Sequence, residues 1–395
     1  MKPYIKYTIK RYLPYFLTLG IILVAYFMIC INVSNAVIRT SSSYYIFNRP
    51  TSSMLGFFIP LIILTTFAPL FVNRYRYHIQ DVDLFYQNPK GQRSIRYVNN
   101  LVVLIGSVII YTGLFLLSLL IMFLTELPNA GKVVTSGDIT YSYFVFNFGY
   151  YILAYILVLL AGCLNYFIAY FLVTRSNRLI NSLIMLACGY FLLNNALTTP
   201  LYYVIHYIRA FSSTRGYAFN ISNLNVFHSI TMVNPLAIVY QIFNPLVIDM
   251  ESSYFDSKEA LLLVLDFVYL GLYIALGIIC LLVFIKEKES SGEFAGKPMG
   301  RDYGQKTIFE AFFIVLAFML GATTNNASSI LALAIVLHVA VITFLSAGHY
   351  IFNGIMNHRF SIKKKDIIPY VIIVSTYLVS VVLTTVLNAV LSSIK

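Results

Sequence analysis

Long apolar runs separated by short polar stretches dominate the chain, and about 20 apolar residues suffice to cross a bilayer core. These runs occupy residues 13–30, 54–73, 101–124, 145–173, 179–197, 261–285, 307–324, 329–352 and 367–391. The pattern predicts an all-α polytopic membrane protein of about nine transmembrane helices. Residues 1–12 read differently. Lys2, Lys6 and Lys10 recur at four-residue steps with Ile5, Ile9 and Tyr12 opposite, which predicts an amphipathic interfacial helix on the inner leaflet. The apolar run that follows exceeds the roughly 7–15 residues of a signal-peptide core, so it is read as a retained first span.

The polar stretches carry the rest of the pattern. Residues 74–97 hold Arg74, Arg76, Lys90, Arg93 and Arg96, and cations in a short loop mark it as cytoplasmic. Within this loop, 78–87 predicts a short helix with Ile79, Val82 and Tyr86 on one side. Asp81 and Asp83 fall in its first turns, where the helix dipole favours negative charge. Asn88-Pro89 stops the helix and Gly91 permits the return. The expected product is a cytoplasmic coupling helix shaped to dock a soluble partner. Residues 31–53 and 125–143 are expected as external loops. Residues 198–260 contain Pro200, Pro235, Pro245 and the triplet Asn-Pro-Leu at 234–236 and 244–246. Asn-Pro steps interrupt a span, and a crossing here would turn the basic 359–365 loop outward, so an external re-entrant segment is expected.

Composition agrees with this reading. A hydrophobic share of 59%, a charged share of 11% and a mean hydropathy of +0.80 exclude an ordinary soluble domain, which carries about 25% charge. The net charge of +12 follows from the positive-inside bias and does not call for nucleic acid. With the N-terminus cytoplasmic, 20 of the 27 Lys and Arg residues lie inside, and only Arg39, Arg49, Lys132, Arg209, Arg215, Lys258 and Lys395 lie outside. The four cysteines sit in apolar runs without CxxC spacing, as packing residues do. Trp is absent, so the 32 Tyr must supply the interfacial belts.

Catalytic patterns are missing from the sequence. It contains no GxxxxGK[ST], HExxH or GxSxG, so neither an enzyme nor a bound cofactor is expected. Asp266 and Glu310 are the acids inside spans, and intramembrane acids are functional candidates. Asn165, Asn194 and Asn195, with Asp266, are candidates for a substrate path; the asparagines are also suited to holding helices together. His338 is expected as a hydrogen-bonded interhelical histidine.

Two motifs carry a family resemblance. Asp83-Leu84-Phe85-Tyr86-Gln87-Asn88-Pro89, followed by Arg93, resembles the first cytoplasmic loop of ABC-2-type exporter permeases of Gram-positive bacteria. Such loops read Val-Asp-(aromatic or apolar)-Tyr-Tyr-x-Leu-Pro-Ile and then Arg; here Asn88 replaces Leu and Lys90 replaces Ile. Glu293-Phe294-Ala295-Gly296-Lys297-Pro298 is similar to the Glu-x-Ala-Gly-x-Pro motif after the sixth span of the same permeases. The resemblance implies a six-span core over 1–285, a cytoplasmic linker over 286–306 and a three-span extension over 307–395. It implies that Asp81, Asp83, Phe85, Tyr86, Pro89 and Arg93 couple to an ATPase, and that Glu293, Ala295, Gly296 and Pro298 form a linker motif. The implied partners are two copies of a separate ABC ATPase, which binds the ATP and Mg, a second permease copy or paralogue, and membrane lipids. The implied activity is export of an amphipathic substrate (peptide, lipid-like compound or antibiotic) across the cytoplasmic membrane. Two other classes compete. One is a membrane glycan polymerase or ligase using His206, Arg209, Arg215 and His228. The other is an ion-coupled carrier using Asp266 or Glu310.

Overall fold

A computed structural model describes residues 2–30, 34–39, 44–49, 51–74, 77, 92–126, 133–136, 139–143, 148–193, 195, 257–286, 303–324, 331–357, 360 and 367–394. The described helices are α1 (Lys2–Cys30), α2 (Thr51–Val72), α3 (Gln92–Glu126), α4 (Phe148–Thr174), α5 (Leu179–Leu193), α6 (Ser257–Lys286), α7 (Tyr303–Thr324), α8 (Leu331–Asn357) and α9 (Ile367–Ile394). Each coincides with one expected apolar run. Four contain described stretches long and apolar enough to cross a membrane: Arg93–Ile121, Tyr155–Thr174, Ala334–Met356 and Ile367–Leu387.

Three expectations need correction. First, the chain is not purely α. The expected external loops contain β1 (Ser34–Arg39), β2 (Tyr44–Arg49), β3 (Val133–Ser136) and β4 (Ile139–Tyr143), joined in one sheet of order β1-β2-β4-β3. Two antiparallel hairpins meet through a parallel β2–β4 pairing, Tyr44 opposite Tyr141 and Ile46 opposite Tyr143. Runs such as Ala36-Val37-Ile38 and Tyr44-Tyr45-Ile46-Phe47 are rich in β-branched and aromatic residues, which suit a pleated surface. Since the sheet joins the chain after α1 to the chain after α3, both helices end on the same side. Second, the interfacial segment 1–12 is not a separate helix. It runs straight into the first span as one helix of 29 residues with Pro14 inside it. Pro14 offers no N–H to the Lys10 carbonyl, a site where helices bend. Third, Arg93 leaves the expected 74–97 loop. α3 starts nine residues before the predicted span at 101 and carries Arg93, Arg96, Tyr97, Asn99 and Asn100 in helical register.

The chain forms two compact units. The first comprises Met1–Arg74, Asp83–Phe171 and Asn234–Ser290; the second comprises Tyr75–Val82, Leu172–Val233 and Ser291–Lys395. In the first, Tyr12, Ala68, Val72, Val103 and Tyr166 bring α1, α2, α3 and α4 together, and Leu23, Leu64 and Leu114 form a second cluster further along. In the second, α7 packs most extensively on α9. Its core holds Cys188, Phe309, Phe313, Ala317, Leu345, Ile373 and Tyr377, so α5 packs with the three C-terminal helices. Cys188 and Cys280 are buried thiols, as packing residues would be.

The distribution of polarity is that of a protein in lipid. On α3, Leu101, Ile105, Ile109, Leu116 and Leu120 are exposed, while Arg96, Asn100, Ser107 and Ser118 are buried. Water would favour the reverse arrangement. Apolar residues outside and polar groups paired inside are what a hydrocarbon solvent selects.

Candidate functional site

The buried stripe of α3 sets out the candidate site. Arg96, Asn100, Val103, Ser107, Tyr111, Leu114 and Ser118 follow at three- and four-residue steps and so share one face. At its start, Arg93 Nη2 donates to Ile285 O at 2.9 Å, and Tyr97 OH donates to the same carbonyl at 2.8 Å. Arg96 is 6% exposed, reaches Phe284 O at 3.4 Å, and lies over the rings of Tyr97 and Phe284. The last carbonyls of a helix have no partner within it and sit at the negative end of its dipole. Two guanidinium groups and a phenol from α3 therefore close the end of α6. Phe284 is ringed by Tyr97, Phe167 and Tyr170, which shelter the clasp.

One turn further in, Asn99 Oδ1 accepts from Tyr4 OH at 3.0 Å and from Thr8 Oγ1 at 3.4 Å, which ties α1 to α3. Burial pushes the Tyr4 phenol up, with its hydrogen bonds opposing, so it stays protonated and donates at neutral pH. Asn100 Oδ1 accepts from Tyr166 OH at 2.7 Å, joining α3 to α4. Deeper still, Asn165 Nδ2 donates to Thr65 Oγ1 and Thr66 Oγ1, both at 2.9 Å, and Asn165 Oδ1 accepts from Tyr273 OH at 3.3 Å. One amide thus holds α2, α4 and α6. Thr112 and Tyr155 share a 2.6 Å bond above it.

The second unit has a smaller polar centre. Ser182 Oγ donates to Tyr77 OH at 2.9 Å, and Ser176 and Ser182 share a short hydrogen bond at the turn between α4 and α5. His338 Nδ1 and Tyr377 OH are 2.6 Å apart, the interhelical bond expected of that histidine. His349, not singled out in the sequence, is 2% exposed and packs against Phe309, Phe313 and Tyr370.

The candidate residues fare unequally. Asn165 is a clasp with both amide atoms engaged. Asn195 is buried and donates to Phe191 O of its own helix at 2.9 Å. Asp266 lies on α6. Glu310 pairs with Lys306 at 3.4 Å on the α7 surface. Asp81, Asp83, Phe85, Tyr86, Pro89, Asn194, Glu293, Ala295, Gly296 and Pro298 lie outside the described residues, as do His206, Arg209, Arg215 and His228. Sequence reasoning missed Asn99, Asn100, Tyr166 and Ser182. Their signal was available: a polar residue repeating on the face opposite an exposed apolar ridge.

Amides, hydroxyls and capped carbonyls can lock helix registers and release them as a set, but they hold no general acid–base pair. Among the described residues no cluster of His, Cys, Asp or Glu has metal-binding geometry. Compared with protein-family models, with curated proteins and with solved structures, the chain finds no match.

Proposed function

We propose that the protein is the membrane-spanning subunit of an ABC-type exporter, moving an amphipathic substrate with ATP hydrolysed by a separate ATPase. The observation that supports this most is the clasp of Arg93 and Tyr97 on Ile285. The Asp83–Pro89 motif precedes α3, and the Glu293–Pro298 motif follows α6. Those two helix ends meet at one carbonyl, so the two stretches that resemble permease motifs are each joined in sequence to a helix end held in this clasp. A partner gripping either stretch would pull on the clasp. A pull there acts on α3 and α6 together and, through Asn99, Asn100 and Asn165, on α1, α2 and α4. In this reading Arg93 transmits the load from the coupling loop. The three C-terminal helices supply the packing partners of α5.

The test is affinity purification of the tagged full chain from its native membranes in mild detergent. A P-loop ATPase is expected in stoichiometric yield. Asp83→Ala and Tyr86→Ala should each remove it, and Lys306→Gln should retain it. Full recovery of an ATPase with the Asp83→Ala, Tyr86→Ala double variant would refute the coupling role. Recovery of no ATPase with the unmodified chain would refute the exporter.

A further inference from the structure

The first turns of α1 have three faces. Tyr4, Thr8 and Tyr12 face the protein, with Thr8 and Tyr12 buried. One position on, Ile5, Ile9 and Leu13 are exposed, and the ridge continues through Leu17 and Ile21, the last 70% exposed. Beside that ridge, Lys6 and Lys10 are exposed one turn apart. Neither makes an ion pair with a described residue.

Depth follows from length. The 29 residues of α1 extend about 43 Å at 1.5 Å per residue, against roughly 30 Å of hydrocarbon. The apolar stretch from Leu13 to Cys30 spans about 27 Å, most of that core, and leaves Arg11 at its edge. Lys6 and Lys10 then stand at headgroup level, directly below the point where the apolar ridge enters the acyl chains.

We infer that this face of α1 binds an anionic phospholipid. The phosphate lies between the Lys6 and Lys10 ammonium groups, and the acyl chains run along Ile9, Leu13 and Leu17. A zwitterionic headgroup brings its own cation to two lysines and gains less. A free anion could use the lysines but would leave the ridge unused. The ridge of α3 is the internal contrast: Leu101, Ile105 and Ile109 are exposed there too, but Arg93 at its foot is engaged with the Ile285 carbonyl.

The absence of Trp makes a clean test possible, because a single introduced Trp reports its local lipid. The full chain carrying Leu13→Trp is reconstituted into phosphatidylcholine vesicles containing brominated phosphatidylglycerol or brominated phosphatidylcholine. Brominated phosphatidylglycerol should quench at a lower mole fraction, by roughly fivefold per lysine engaged. Leu17→Trp should show the same order, and Ile109→Trp on α3 no preference. K6Q/K10Q should abolish the preference, while K6R/K10R should keep it. Equal quenching by the two lipids at Leu13→Trp and Leu17→Trp, or a preference that survives K6Q/K10Q, would overturn the assignment. Loss of the preference in millimolar inorganic phosphate at constant ionic strength would make this a soluble-anion site and overturn it as well.

Discussion

In the first unit, neighbouring helices are joined by side-chain hydrogen bonds: Tyr4 and Thr8 to Asn99, Asn100 to Tyr166, Asn165 to Thr65, Thr66 and Tyr273, and the Arg93–Arg96–Tyr97 clasp on the last carbonyls of α6. In the second, α7, α8 and α9 approach through small residues and edge-on or tilted rings. Gly321 lies against the Tyr377 carbonyl and Ser380, Ser380 Oγ donates to Phe318 O at 2.7 Å, and Phe309, Phe313 and Phe352 interlock. Lipid removes the hydrophobic drive between helices, leaving close packing and polar pairs as the available cements. Close packing tolerates little displacement. Directional bonds between hydroxyls and amides can break and re-form. The unit read as responding to a partner uses the second cement, and the unit that packs α5 relies mainly on the first.

Substitutions can break this contrast one unit at a time. The largest effect belongs to Gly321→Val. A Cβ there would stand 2.7 Å from the Tyr377 carbonyl and 2.8 Å from Ser380 Cβ, and backbone cannot turn aside. A loss of about 3 kcal/mol is expected, read as a fall in the melting temperature of the purified chain. Hydrogen exchange should rise over 303–394, with 92–121 unchanged. Next comes Arg96→Met, which removes a buried guanidinium from the α6 terminus and should cost about 2 kcal/mol. Its exchange signature should fall on 92–100 and 280–286, leaving α7 to α9 as before.

Asn165→Leu sharpens the comparison further. It should cost about 1 kcal/mol, because Thr65 falls back on the Leu61 carbonyl it already reaches at 2.8 Å. A double-mutant cycle with Tyr273→Phe should give coupling of about 0.6 kcal/mol, measured by denaturant unfolding in micelles. The smallest effect is Lys306→Gln. The pair with Glu310 is exposed, so its loss should change stability by less than about 0.5 kcal/mol.

The helices were legible because nine apolar runs are each long enough to be read without knowing their neighbours. Boundaries failed where a polar residue belongs to a helix that outlasts the bilayer. Arg93 to Tyr97 read as a loop and Asn99 and Asn100 as preceding the span, yet α3 continues through them all because their partners are α1, α4 and α6, which a local window cannot see. The boundary expected after residue 12 is not a separation: α1 runs on through it and through Pro14, since one missing N–H bends a helix without ending it. The sheet was missed because its pairing is non-local: Tyr44 meets Tyr141 across almost a hundred residues. Within the site, Asn165 was found and its role left open. Settling it required the positions of Thr65, Thr66 and Tyr273 on two other helices. His338 was read correctly because a lone histidine in an apolar run has few options besides an interhelical bond.

The exporter reading depends most on which side of the membrane the α2–α3 loop faces. In a cysteine-free background, a single Asn88→Cys variant of the full chain can be treated with a membrane-impermeant maleimide in intact cells and after the membrane is opened. Ser42→Cys, in the β1–β2 connection, serves as the opposite marker. The expected result is labelling of Ser42→Cys in intact cells and of Asn88→Cys only after opening. Labelling of Asn88→Cys in intact cells would put the loop beyond the reach of any cytoplasmic ATPase and contradict the proposed function.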